Sequence, residues 1–230
     1  MKNSSPIFFV DKLPAFDTPF IIEESIAHHL RVRRELTIGF EFILSTGSEF
    51  TYAQITQLTK KHVEGKAHGT LKVPEKKLDI HLYQAVLKPE SMAWICQKAT
   101  ELGVSSIQPL ITERVQGHHW TANTAQHLSK IMSSAATQSK QLQLPLLKPA
   151  CTLEECDWPS YSWFMADFGG EPWPRERAAG SIGLLVGPEG GWSQRDQQYL
   201  PAHLKRIQLT ETVLRAETAA MVCLSLAFCA

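Results

Sequence analysis

The stretch Leu184-Leu185-Val186-Gly187-Pro188-Glu189-Gly190-Gly191-Trp192-Ser193 decides how this chain is read. Ile182–Val186 is apolar without alternation, the pattern of a strand covered on both faces. It empties into a glycine-rich turn. Ser193, with Asp196 three residues on, then opens a helix over Ser193–Leu200 through a capping box. Ligands in open α/β sheets sit at the carboxyl ends of strands. Glycines there let a ligand approach the backbone and permit positive φ. The plainer reading is an ordinary strand–helix turn. The turn lacks the Gly-Lys-Ser/Thr ending of a phosphate loop and the Gly-x-Gly-x-x-Gly spacing of a dinucleotide site. Pro188 and the acidic Glu189 suit a cationic or neutral ligand better than a pyrophosphate.

The same grammar extends through residues 74–230. Strands are expected at Ile80–Leu87, Ile107–Leu110, Trp163–Ala166 and Ile207–Leu209. A helix over Glu90–Leu102 places Met92, Ile95, Ala99 and Leu102 at helical spacing and closes at Gly103. A longer one over Asn123–Leu142 carries Leu128, Ile131, Met132 and Ala135 on one face. Ala216–Cys229 is apolar nearly all round and so belongs in a core. Strands alternating with helices predict a largely parallel α/β sheet. Residues 1–73 read differently, as short β segments. Phe40–Ser45 and Phe50–Ile55 flank the turn Thr46-Gly47-Ser48-Glu49 and form a hairpin. A small β-barrel over 1–73 followed by an α/β domain over 74–230 is the expected organisation.

Composition narrows the function. The 230 residues carry 23 basic and 23 acidic side chains, with 43% apolar and 20% charged residues, which excludes a disordered chain. With no net charge, any contact to nucleic acid must rest on a local patch, and Arg31, Arg33, Arg34 and Lys60 supply one. No apolar run approaches the ~20 residues that cross a bilayer, and the start of the chain does not read as a signal peptide. Five cysteines without a Cys-x-x-Cys pair read as reduced thiols of a cytoplasmic protein. No metal site is expected, because the adjacent pairs His28-His29 and His118-His119 point to different faces.

A second stretch carries chemistry: Leu209-Thr210-Glu211-Thr212-Val213-Leu214-Arg215-Ala216-Glu217-Thr218-Ala219. A short strand ends, a polar loop follows and the apolar helix begins. Glu217 suits the positive end of the helix dipole. Arg215 does not, which points to a partner or substrate.

Together the two stretches resemble the RsmE family, bacterial 16S rRNA (uridine-N3) methyltransferases of the SPOUT class. The shared pattern is Leu-(Ile/Val)-Gly-Pro-Glu-Gly-Gly-x-Ser, then Leu-x-x-x-(Ile/Val)-Leu-Arg-x-Glu-Thr-Ala. Gln97-Lys98-Ala99-Thr100-Glu101-Leu102-Gly103-Val104 is similar to the family's Gln-Lys-x-x-Glu-Leu-Gly-Val helix. Ile107-Gln108-Pro109-Leu110 with Glu113-Arg114 is similar to its next strand and Ser-Glu-Arg turn. His28 with Arg31-Val32-Arg33-Arg34 is similar to its His-x-x-Arg-Val-x-Arg.

The resemblance implies a PUA-like, RNA-holding barrel followed by a SPOUT domain with a trefoil knot. It implies S-adenosyl-L-methionine as cofactor, held by Leu185, Val186, Gly187, Glu189, Gly190, Leu209, Thr210, Val213 and Leu214. It implies a homodimer whose site is completed across the interface, 16S rRNA within the small ribosomal subunit as partner, and RNA contacts from the Arg31 cluster and Lys88. Arg215 then stabilises charge developing on the base or anchors a phosphate. Glu217, or water that it holds, takes the N3 proton. Some residues depart from the pattern. Thr210 stands for Gly, Thr212 for Arg and Ala216 for Thr. Thr137-Gln138-Ser139-Lys140-Gln141 stands for Glu-Gln-x-x-Arg. A different RNA target, or a catalytically silent RNA-binding or ribosome-assembly protein, would use the same scaffold.

Overall fold

The computed structural model describes residues 5–76, 78–115, 120–174 and 180–229. The chain forms two compact units, Met1–Glu75 with Ala136–Leu144, and Lys76–Ala135 with Pro145–Ala230. The pair His118-His119 lies outside the described residues.

In the first unit, strands β1 (Ile7–Phe9), β2 (Pro19–Ile21), β3 (Glu41–Ser45), β4 (Glu49–Leu58) and β5 (Val63–Lys72) form one sheet in the order β1-β3-β4-β5-β2. β1 runs parallel to β3 and the other neighbours pair antiparallel. The expected hairpin is β3–β4, with Ser45 opposite Phe50 and Thr46 N donating to Glu49 O at 2.9 Å. The unit is not made of β segments alone, because helix α1 (Glu24–Val32) lies between β2 and β3. It forms because Ile26, Ala27 and Leu30 fall on one face and are buried with Phe8, Phe42 and Ile55. It ends where Arg34 adopts φ +59, with Arg34 N donating to Arg31 O and Glu35 N to Leu30 O. The Arg31–Arg34 cluster therefore sits at the end of a helix. Leu142 belongs to this unit, and its carbonyl accepts the Ser45 hydroxyl at 2.6 Å.

The second unit is α/β with a parallel sheet. Its strands are β6 (Ile80–Ala85), β7 (Ser106–Ile111), β8 (Leu146–Leu147), β9 (Cys151–Thr152), β10 (Ser162–Pro172), β11 (Ile182–Val186) and β12 (Lys205–Gln208). Their order is β12-β10-β11-β6-β7-β8, with β9 also on β7, and every pairing is parallel. β11 is central and all five of its residues are buried. Its side chains alternate as strand geometry requires. Leu184 and Val186 enter one core with α2 (Pro89–Leu102) and α5 (Ala216–Cys229), whereas Leu185 enters another with Tyr83, Trp163 and Met165. Gly183 makes room for its neighbour strand, since a Cβ there would meet the Trp163 ring at 2.3 Å.

Helix α3 (Ala122–Gln138) stops four residues before the expected Leu142. Lys140 takes φ +58, Lys140 N donates to Thr137 O and Gln141 N to Ala136 O. A left-handed residue closes the helix even though it is lysine. Helix α4 (Gln194–Gln198) is likewise shorter than expected, but its capping box is present, with Ser193 Oγ accepting from Asp196 N. Burial pushes the Cys96 and Cys223 thiols up to about 12, so both stay protonated near neutral pH. Among the described residues, no helix is long and apolar enough to cross a membrane, and no group of three His, Cys, Asp or Glu is arranged to hold a metal.

Candidate functional site

A cavity of about 360 Å³ opens at the carboxyl ends of β11 and β12 and beside the middle of β10. Such sites are where parallel sheets offer unpaired strand ends to a ligand, and the volume falls in the range of small-molecule pockets. Two loops border it. One follows β11 and contributes Val186, Gly187, Pro188, Glu189, Gly191 and Trp192. The other follows β12 and contributes Leu209, Thr210, Thr212, Val213 and Leu214. Ala216 and Ala219, in the first turns of α5, also line it. Their small side chains leave the space open.

The loop after β11 is tightly built. Gly191 has φ +68, a conformation that favours glycine. Gly191 N donates to Pro188 O at 2.8 Å and closes a four-residue turn. A Cβ on Gly187 would lie 3.0 Å from the Trp192 ring, so this backbone already touches the indole. At the far end, Asp196 accepts from Ser193 N at 2.9 Å through Oδ2 and from Glu113 N at 3.2 Å through Oδ1.

The loop after β12 is held more lightly. The Thr210 hydroxyl donates to Thr212 O at 2.6 Å. Thr210 does not sit at positive φ; outside glycine, that conformation occurs among the described residues at Asp17, Arg34, Lys140 and His203. A β-branched residue is therefore accommodated without backbone strain. Thr137 and Gln141, two more of the departures, belong to the turn that closes α3.

Of the nine residues expected to hold a cofactor, Val186, Gly187, Glu189, Leu209, Thr210, Val213 and Leu214 line the cavity. Leu185 turns its side chain into the core on the opposite face of the sheet. Gly190 lies outside the lining, with its carbonyl accepting from Arg114 Nη1 at 2.6 Å. Arg215 is exposed between two lining residues, Leu214 and Ala216, and Glu217 is half-buried one position further on. Neither is part of the lining.

The cavity also contains polar groups that the motif reading missed. Asp167 Oδ2 pairs with Arg206 Nη1 at 2.8 Å, and Arg206 Nη2 donates to Gln197 at 3.2 Å. All three residues line the cavity, with Ala166 and Phe168 beside them. No local motif marks them. Asp167 and Phe168 lie inside β10, which runs on to Pro172, well past the apolar run Trp163–Ala166 expected to be the strand.

The expected RNA-facing residues are all exposed. Arg31 pairs with Glu24 and Arg33 with Glu35, each at 3.2 Å. Lys60 lies in the turn between β4 and β5, and Lys88 is the N-cap of α2.

The profile of a family described as an RNA methyltransferase domain matches residues 74–228. The ribosomal RNA small subunit methyltransferase E of Rickettsia conorii is 27% identical over 220 residues, covering 89% of this chain and 88% of the relative. That of Aquifex aeolicus is 27% identical over 212 residues, covering 90% and 92%. Among solved structures, the Neisseria gonorrhoeae ribosomal RNA small subunit methyltransferase E bound to S-adenosyl methionine superposes with a TM-score of 0.84 at 25% identity over 96% of each chain. A Legionella pneumophila structure in complex with bound SAM superposes with a TM-score of 0.85 at 26% identity over 98% of each.

Proposed function

This chain belongs to the RNA methyltransferase domain family, and from that premise we propose that it methylates N3 of a uridine in 16S rRNA of the small ribosomal subunit, using S-adenosyl-L-methionine. The observation that carries the reading is the cavity itself. The two stretches quoted from the sequence, which follow the separate strands β11 and β12, border one pocket at the ends of parallel strands.

The residues fit the cofactor. Val186, Leu209 and Leu214 give apolar walls for a flat base, and Gly187 and Gly191, without side chains, let a ligand approach the backbone of the loop. Asp167 and Arg206 add polar groups for hydroxyls or charges. When bound, S-adenosylmethionine supplies a methyl group activated by its sulfonium. The chain must then align the base and remove the N3 proton, because a neutral imide is a poor nucleophile. Positioning supplies much of the acceleration in such a displacement. Arg215 stabilises negative charge developing on the base or anchors a neighbouring phosphate. Glu217, or water on it, accepts the proton. N3 lies on the Watson–Crick edge, so the base enters unpaired.

On the same reading, residues 1–73 form a PUA-like barrel that holds RNA through Arg31, Arg33, Arg34 and Lys60, and Lys88 contacts RNA from the 74–230 domain. The chain threads the SPOUT trefoil knot through the loops bordering the cavity, a rare exception to unthreaded connections. A second copy completes the site, consistent with the exposed position of Arg215. The enzyme works in the cytoplasm.

The test is transfer of labelled methyl from S-adenosylmethionine to small subunits lacking N3-methyluridine, followed by nucleoside analysis. Label in N3-methyluridine is the expected result; label elsewhere, or none beside an active family member, rejects the assignment. Arg215→Ala should remove most turnover and leave affinity for S-adenosylhomocysteine within about threefold. Collapse of that affinity would move Arg215 into the cofactor site.

A further inference from the structure

Gly190 is the glycine of the loop that does not face the cavity, and its surroundings give it another role. Arg114 lies three residues beyond the end of β7 and 76 positions before Gly190 in sequence. Its guanidinium donates to Gly190 O at 2.6 Å, a short bond from a charged donor. Its aliphatic stem runs past Gly190, with Cδ and Cβ 3.5 and 3.6 Å from where a Gly190 Cβ would stand.

The peptide unit joining Gly190 to Gly191 is the least constrained in the loop on steric grounds. Neither residue has a Cβ, so the unit rotates at little cost unless hydrogen bonds stop it. Both of its polar ends are held. The Gly191 N–H is fixed on Pro188 O and the Gly190 carbonyl on Arg114. The neighbours whose placement depends on this unit, Glu189 and Gly191, both line the cavity. Asp196 fixes the far end of the same loop and binds the N–H of Glu113, the residue before Arg114. The short segment after β7 thus grips the loop at two points.

We propose that Arg114 is a positioning residue for the cofactor. It locks the Gly190–Gly191 peptide so that the backbone from Gly187 to Gly191 presents one fixed set of groups to the cavity. The inference rests on reading that cavity as the S-adenosylmethionine site. It assigns the Glu113-Arg114 segment to the architecture of the cofactor site.

Arg114 is exposed, so its substitution leaves the core intact. Arg114→Met keeps the stem and removes the donors. Calorimetric titration of the unliganded protein with S-adenosylhomocysteine should show Kd rising about tenfold, the cost of one hydrogen bond to a charged group. The KM for S-adenosylmethionine should rise by more than kcat falls. Amide exchange at Gly191 and Trp192 should quicken in the absence of any ligand. Arg114→Lys should recover part of the affinity. A variant whose melting temperature falls while Kd and exchange stay at wild-type values would show a merely structural tether and overturn the proposal. A wild-type protein that binds no S-adenosylhomocysteine would instead overturn the cofactor reading beneath it, and the two failures are distinguishable in the same titration.

Discussion

The two loops that border the cavity are built on opposite plans. The one after β11 carries a left-handed glycine, an internal turn, a capping box and two attachments to the segment after β7. The one after β12 shows a single short side-chain bond, Thr210 to Thr212, and holds Val213 80% exposed although it lines the cavity. A half that is already ordered spends little conformational entropy on binding, whereas a lightly held half must be ordered by the ligand. We read the first as the fixed template of the site and the second as the part that closes on what the template holds.

Substitutions separate the two plans. Gly191→Val should have the largest effect, because a β-branched residue at φ +68 costs about 1–3 kcal/mol and moves the turn. Affinity for S-adenosylhomocysteine should fall by about 30-fold or more; a fall below about threefold would mean that the template is not rigid. Asp196→Ala comes next. It removes the carboxylate that holds Ser193 and Glu113, and should lower stability by about 2–3 kcal/mol in a denaturant titration. Val213→Ser should weaken affinity about three- to fivefold by loss of apolar contact on closure. Its stability should stay within about 0.5 kcal/mol, as for other exposed positions. An unchanged affinity would remove Val213 from the closing half. Thr210→Gly should matter least, about twofold, the low end for losing one exposed hydrogen bond, here that to Thr212 O, since Thr210 does not occupy a conformation reserved for glycine.

The same contrast explains what could be read from the sequence. Ile182–Val186 and Ala216–Cys229 coincide with the observed strand and helix residue for residue. β11 is wholly buried and writes an unbroken apolar signal, whereas α5, expected to be buried nearly all round, buries Ala216, Ala219, Ala220, Cys223, Leu224 and Ala227 and leaves Thr218, Ser225 and Cys229 exposed. Helix α1 was hidden because its nine residues include His28, His29 and Arg31 and bury only Ile26, Ala27 and Leu30. The end of α3 was hidden because the usual glycine signal is absent and Lys140 closes the helix instead. In the site, the loops could be found because glycine and proline leave a local pattern. Asp167, Gln197 and Arg206 could not, because their meeting depends on which strands neighbour which. β10 and β12 are adjacent in the sheet but well separated in sequence. Their approach is close, since a Cβ on Gly170 would stand 2.5 Å from the Arg206 backbone. The glycine pair Gly169-Gly170 carried that message, but only in hindsight of the pairing.

The interleaving of the two units along the chain has a consequence for biosynthesis. Residues 1–75 leave the ribosome first, yet the unit that they begin is finished only by residues 136–144, whose Leu142 carbonyl receives the Ser45 hydroxyl. At roughly 5–20 residues per second, translation delivers that closing segment about 3–14 seconds later. For that interval the nascent five-stranded sheet waits with its β3 end uncovered, and the first unit to begin emerging cannot be completed until more than a third of the second has been translated.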